Sequence, residues 1–134
     1  NKLINLHISL LPYNRGFSPN FFSFIEDTPK GVTIHLIDKG LDTGPILYQK
    51  ELFLDEREES FASSYNYLLN EIKLLFKKNW TNIKLRKFAV VLQKGEGTFH
   101  TKKQLMDIYK TVPFKWEDNI FEYKKRYIKY QNRG

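Results

Sequence analysis

Apolar residues along the chain predict short strands in its first third and longer helices after them. Residues 3–6 predict a short buried strand, and the β-branched run over 31–37 predicts a second. Residues 46–53 alternate loosely between apolar and polar and predict a third strand. The glycine-bounded turn at 40–45 would let the second and third strands pair as neighbours.

Helical spacing of apolar residues follows these strands. Ser18 followed by Pro19 predicts an N-cap with proline at the first position of a short helix. Asp55 and Glu58 form a capping-box pattern ahead of a long amphipathic helix that runs to about residue 78. Its apolar positions are Phe61, Tyr65, Leu68, Leu69, Ile72, Leu75 and Phe76.

The remainder of the chain predicts a connector, a short strand and two helices. The connector covers 79–86 and the strand 88–92, and Thr101 with Gln104 is a capping box for a helix that Pro113 ends. A composition shift near the connector suggests a division into 1–79 and 80–134. The final helix is predicted from one aromatic stripe, which we interpret as a packing or dimer surface: Trp116, Ile120, Tyr123, Tyr127 and Tyr130.

Composition and charge restrict the class of protein. The 134 residues suffice for one globular domain, with 41% hydrophobic and 16% aromatic residues. The chain has no cysteine, which permits a cytoplasmic location, and no apolar run long enough for a membrane helix. Because a core strand begins almost at once, we expect an N-terminally incomplete chain.

The charge is divided unevenly along the sequence. Residues 1–60 carry a net charge of −3 and residues 61–134 a net charge of +10. A basic half suits a phosphate-bearing partner such as a nucleotide, a nucleic acid or a membrane surface, although solvated helix faces are the plainer interpretation. The three histidines and scattered carboxylates lack the spacing of a metal site.

Candidate chemistry lies at the end of the first strand. Asn5 and His7 are two residues apart and leave the strand on the same face, and Pro12 turns the chain away. An amide and an imidazole presented together can polarise a carbonyl and move a proton. Asp42, in the turn after the next strand, would complete the set with a carboxylate. Each residue taken alone is more simply a core, cap or turn residue.

Three motifs in order resemble the formyltransferase family that uses 10-formyltetrahydrofolate as donor. They are Asn-x-His-x-Ser-Leu-Leu-Pro at 5–12, Gly-Val-Thr-Ile-His at 31–35 and Gly-Leu-Asp-Thr-Gly at 40–44. Ile8 departs from the pattern, since many members have proline there. The loop at 12–20 and the segment at 95–103 look like the branch that formylates amino sugars on nucleotide carriers.

The resemblance implies an α/β fold, the C-terminal part of a Rossmann-like catalytic domain followed by a small, mainly helical region. It implies catalytic roles for Asn5, His7 and Asp42, with Asn5 and a protonated His7 stabilising the charge on the formyl oxygen. The backbone at Ile37, Asp38, Lys39, Gly40 and Leu41 would line the pterin ring of the donor. Asn14, Arg15 and Asn20 would contact substrate or brace the loop.

Other histidines and lysines are given structural interpretations. His35 matches the pattern but is expected to be structural. His100, Lys102 and Lys103 are expected to be solvated or to cap a helix.

The function predicted is transfer of a formyl group to a dTDP-type amino-deoxy sugar, for surface polysaccharide, by a cytoplasmic homodimer. Methionyl-tRNA formyltransferase is the close alternative, since the second half is basic. A non-catalytic folate-binding, nucleotide-binding or dimerisation fragment is the third. No metal and no membrane partner is expected.

Overall fold

The structure is a computed structural model that describes residues 2–133. Its strands, most of them in the first half of the chain, form two small sheets. The larger sheet has the order β1-β3-β4 with both pairs antiparallel, and the smaller joins β2 to β5 in parallel. The strands are β1 (Ile4–His7), β2 (Arg15–Gly16), β3 (Lys30–Leu36), β4 (Ile46–Leu52) and β5 (Phe99–His100). The predicted neighbouring strands on either side of the 40–45 turn are confirmed.

Five helices in the described residues 2–133 complete the fold, which is of the mixed α/β class that the sequence predicted. They are α1 (Pro19–Ile25), α2 (Phe61–Lys78), α3 (Trp80–Lys84), α4 (Lys102–Thr111) and α5 (Ile120–Gln131). None of the helices in residues 2–133 has the length and apolar character needed to span a membrane.

Two apolar clusters hold the elements together. In the first, one face of α2 covers the sheet, and its buried members are Val32, Ile34, Leu52, Leu68, Ile72 and Ile83. In the second, α1 packs against the start of α2 and against the C-terminal helices, through Phe21, Phe22, Phe24, Phe61, Val112, Ile120 and Tyr123. The second cluster therefore contains residues from both sides of position 79. The division into 1–79 and 80–134 stays a prediction.

The helix starts differ in part from the predicted caps. Pro19 is the first residue of α1, but Ser18 has a left-handed backbone (φ 48°) and its side chain makes no cap bond. The cap of α2 is Ser60 with Ser63, not Asp55 with Glu58. The helix begins there because Phe61, which follows the cap, is buried in the core.

Weakly patterned segments account for the other differences. Segment 88–92 is not a strand: Val91 makes only an isolated bridge to Ile46, and its side chain is exposed. The connector contains α3, and α5 begins at residue 120, so Trp116 precedes the helix. β1 is less buried than predicted, since Leu3 is exposed at the edge of the sheet. The capping box of α4 is as predicted.

Candidate active site

β1 and β3 bring Asn5, His7 and His35 to one face of the larger sheet. In the antiparallel register Asn5 lies opposite His35, and His7 lies opposite Thr33. Alternation along β1 points Asn5 and His7 the same way, as the sequence predicted. His35, expected to be a structural residue, is buried and lies beside them.

Asp42, from the turn between β3 and β4, completes this cluster. Its Oδ2 accepts a hydrogen bond from the Gly16 N–H at 2.8 Å and lies 3.7 Å from His7 Nδ1. Its Oδ1 lies 3.4 Å from Asn5 Nδ2 and 3.6 Å from His35 Nε2. The amide, the imidazole and the carboxylate from two separate segments therefore converge. We refer to Asn5, His7, His35 and Asp42 as the polar cluster.

The hydrogen bonds assign the protons on both imidazoles. His7 Nε2 lies 2.9 Å from the carbonyl oxygen of Asn14, and a carbonyl only accepts, so Nε2 carries the hydrogen. His35 Nδ1 donates to the Leu36 carbonyl in the same way, also at 2.9 Å. In the neutral tautomers, His7 Nδ1 thus presents a lone pair toward Asp42. His35 Nε2 accepts from Asn5 at 3.3 Å.

Burial decides the charge state of His7. It lowers the pKa of His7 below its ordinary value, and the Asn14 carbonyl and Asp42 oppose this only in part, while His35 adds to it. Burial alone would raise the pKa of Asp42, but the nearby His35 ring, the charge that His7 carries when it is protonated and the Gly16 N–H together lower it. The resting site at neutral pH holds a carboxylate beside a neutral imidazole. The protonated His7 expected from the sequence is not the resting form, because burial outweighs the attraction of the Asp42 carboxylate 3.7 Å away.

The segment predicted to line a pterin ring, 37–41, is an exposed turn leading directly into Asp42. Its side chains at Ile37 and Leu41 are 50% and 60% exposed. Asp38 fixes the turn by accepting from the Gly40 N–H at 3.0 Å and the Thr43 hydroxyl at 2.5 Å. These bonds, Thr43 first, lower the pKa of Asp38.

Asn14, predicted to contact substrate or brace the loop, is fully buried next to the cluster. Its Nδ2 donates to the Thr28 hydroxyl at 2.7 Å, and its backbone holds His7. Arg15 donates through Nε and Nη2 to Gln93 Oε1, and through Nη1 to the Glu96 carbonyl at 3.3 Å. This leaves two guanidinium N–H groups for another partner.

Asn20, the third of these residues, lies at an apolar cavity of about 120 Å³ beside α1. Its Nδ2 donates to the Ser64 hydroxyl at 2.8 Å, and its buried Oδ1 has no partner among residues 2–133. Aromatic residues form much of the lining: Phe21, Phe61, Tyr65, Phe114 and Trp116.

Sequence reasoning did not place two residues beside Asp42. His35 is brought to Asp42 by strand register, which the apolar pattern alone does not specify. Gln93 reaches the site from the irregular segment after α3 and bears no motif.

His100 is buried and bonded to Glu26 at 2.7 Å, so the solvated or capping interpretation was wrong for it. In the described part of the chain, no three acidic or histidine side chains are grouped to hold a metal ion.

Solved structures of sugar formyltransferases resemble this fold. The formyltransferase PseJ from Anoxybacillus kamchatkensis, in complex with UDP-4,6-dideoxy-4-formamido-L-AltNAc and tetrahydrofolate, is 40% identical with a TM-score of 0.83. The match covers 90% of this chain and 63% of PseJ.

Relatives identified by sequence include enzymes for two substrates. The dTDP-4-amino-4,6-dideoxyglucose formyltransferase of Mycobacterium tuberculosis is 34% identical over 102 residues, which are 76% of this chain and 43% of the relative. The methionyl-tRNA formyltransferase of Thermodesulfovibrio yellowstonii is 38% identical over 99 residues, 72% of this chain and 31% of the relative. The chain thus spans less than half the length of these relatives. The family described as formyl transferase matches residues 1–76, more than half of the sequence, and the chain belongs to this family.

Proposed function

We propose that the full-length protein transfers a formyl group from 10-formyltetrahydrofolate to the amine of a nucleotide-linked amino-deoxy sugar. The observation that carries this proposal is the convergence of Asn5, His7 and Asp42 on one face of the sheet. The similarity to PseJ, with its nucleotide sugar and tetrahydrofolate, supports the choice of substrate and donor.

His7 is the proton acceptor in this proposal. Its Nε2–H is held by the Asn14 carbonyl, so the lone pair on Nδ1 is the free basic position. As the amine nitrogen bonds to the formyl carbon, Nδ1 takes the proton that the amine loses, and the imidazolium that results lies 3.7 Å from the Asp42 carboxylate. The imidazolium then returns this proton to the donor nitrogen as the bond between that nitrogen and the formyl carbon breaks. This attraction offsets the burial that disfavours a charged His7.

Asn5 stabilises the negative charge that develops on the formyl oxygen. Its Nδ2 bonds to His35 and Asp42 are long, at 3.3 and 3.4 Å, so the amide can turn an N–H toward a stronger acceptor at little cost. Removing one such donor typically costs about 10²–10³ in rate.

The turn at 37–41 is the proposed binding segment for the donor, 10-formyltetrahydrofolate. When bound there, the donor would supply the formyl carbon. The fit is one of shape and chemistry: two exposed apolar side chains, Ile37 and Leu41, flank backbone amides beside Asp42. Backbone donors at Asp38 and Lys39, with carbonyl acceptors at Asp38, Lys39 and Gly40, suit the amide edge of a pterin ring. The carboxylate of Asp42 ends this segment, so a ring bound there lies next to the polar cluster.

Arg15 is the proposed contact for an anionic part of the substrate. Three of its five N–H donors are used within the chain, and the remaining two match a phosphate or carboxylate. Asn14 is placed too deeply to touch a substrate and braces His7 instead. Asn20 braces the wall of the aromatic cavity through the Ser64 hydroxyl, and an apolar part of the sugar would be accommodated in that cavity.

The biological setting is proposed from the same relatives. Formylated amino sugars on nucleotide carriers suit surface polysaccharide such as O-antigen, made in the cytoplasm. A homodimer is proposed because aromatic residues near and on α5 remain exposed, Trp116 at 48% and Tyr130 at 44%.

Methionyl-tRNA formyltransferase is the second candidate function. The similarity to the Thermodesulfovibrio yellowstonii enzyme supports it, as does the net charge of +10 over residues 61–134. The full-length protein should be assayed with dTDP- and UDP-linked amino sugars and with charged initiator tRNA. Formylation of tRNA with steep salt dependence, and none of the sugars, would overturn the sugar proposal.

The variants Asn5→Ala and His7→Asn test whether the chain is catalytic at all. We expect each to lower kcat by about 10²–10³, while Asn70→Ala on the exposed face of α2 serves as the control and keeps the unmutated rate. Rates near the unmutated value in both variants would favour a non-catalytic binding or dimerisation role.

A further inference from the structure

Gln93 joins two loops of the site through all four hydrogen-bonding positions of its amide. Its Nε2 donates to the backbone carbonyls of Asp42 at 2.9 Å and Gly44 at 2.8 Å. Its Oε1 accepts from Arg15 Nε at 3.0 Å and Nη2 at 2.7 Å. One side chain from the segment after α3 therefore holds the turn that carries Asp42 and the loop that carries Arg15.

Only an amide satisfies both sides of this arrangement. The two backbone carbonyls require donors, and the guanidinium requires an acceptor, which also fixes the orientation of the Gln93 amide. A carboxylate at this position would keep the acceptor for Arg15 and lose both donors. A thioether of similar length would lose all four bonds.

The turn that Gln93 holds is one that needs support. Asp42 has a left-handed backbone, φ 58°, a conformation that is unfavourable for a residue with a Cβ. Gln93 bonds the carbonyl of this residue, and the Gly16 N–H bonds its carboxylate. Arg15, the neighbour of Gly16, is bonded to the same Gln93. Gln93 therefore supports Asp42 directly through its carbonyl and indirectly through the loop that carries Arg15 and Gly16.

We propose that Gln93 is a positioning residue that holds the Asp42 carboxylate next to His7 and orients the Arg15 guanidinium beside it. This inference rests on the proposed function, in which Asp42 and Arg15 serve catalysis and substrate binding. Gln93 lies outside residues 1–76, the part matched by the family. The segment after α3 thus helps to fix the positions of the Asp42 and Arg15 side chains in the active site.

The test compares Gln93→Met and Gln93→Glu in the full-length protein with Gln131→Met, a matched control at the exposed end of α5. We expect kcat to fall about 10–10²-fold in both Gln93 variants, since small displacements of a catalytic group cost that much. The control should stay within threefold. A Gln93→Met enzyme with unmutated kcat, or full activity in Gln93→Glu, would overturn the inference.

A second readout does not depend on turnover. Asp42 and His35 are the titratable groups that face His7, and Asp42 favours its protonated form. In Gln93→Met, the NMR titration midpoint of His7 should move to lower pH as the carboxylate loosens. An unmoved His7 midpoint refutes the role of Gln93. Absence of any sugar formylation by the unmutated protein refutes the proposed function instead.

Discussion

Asp42→Asn is the substitution that most sharply tests how the polar cluster works. Asparagine keeps an oxygen for the Gly16 N–H and nearly the same shape, so the turn should persist. What it removes is the negative charge 3.7 Å from His7 Nδ1. At an effective dielectric constant of about 20, such a charge stabilises an imidazolium by about 4 kcal/mol.

That energy sets the expected effect on rate. If His7 gains most of a proton in the transition state, loss of about 3–4 kcal/mol lowers kcat by roughly 10²–10³. The assay is single-turnover formylation of a nucleotide amino sugar, with Asp107→Asn as the control, an exposed carboxylate on α4 paired with Lys103. Because Asp42 raises the pKa of His7, the variant's pH–rate limb for His7 should also lie at lower pH. A rate within threefold of the unmutated enzyme, with an unmoved limb, would refute this reasoning.

Three further predictions concern stability, measured as the free energy of unfolding in urea. Tyr123→Phe should cost about 1–3 kcal/mol, because the hydroxyl bonds the buried Val112 carbonyl at 2.8 Å; no loss would show that this carbonyl is otherwise satisfied. Gly44→Ala should cost about 1–3 kcal/mol, because a Cβ there would overlap the Leu36 backbone oxygen; unchanged stability would mean that the turn relaxes freely. Burial lowers the pKa of folded His7 below 6.5, so its contribution is complete above that pH and is lost as the pH falls through and below 6.5. His7→Asn should therefore lose less stability between pH 7.5 and 5 than the unmutated protein, and equal losses would contradict the burial argument.

Local sequence signals predicted the elements that a strong pattern specifies. The β-branched run gave β3, and the helical spacing of apolar residues gave α2, whose buried positions include Leu68 and Ile72. The two-residue spacing of Asn5 and His7 placed them on one face, because alternation is a property of any strand.

Features that depend on the folded context could not be predicted from the sequence. The register that sets His35 opposite Asn5 is a relation between two strands, and the pairing of Gln93 with Asp42 spans 51 residues through an irregular segment. The charge state of His7 depends on its burial, which no local pattern specifies. The Asp55 cap failed for a similar reason, since burial of Phe61 decides where α2 begins.

A double-mutant cycle on His7 and Asp42 tests the central claim most directly. The kcat values of His7→Asn, Asp42→Asn and the double variant of the full-length protein would be compared with that of the unmutated protein. If the two groups act as one proton-accepting pair, the double variant should be no slower than the slower single variant. Fully additive losses, with each substitution acting independently of the other, would contradict the account.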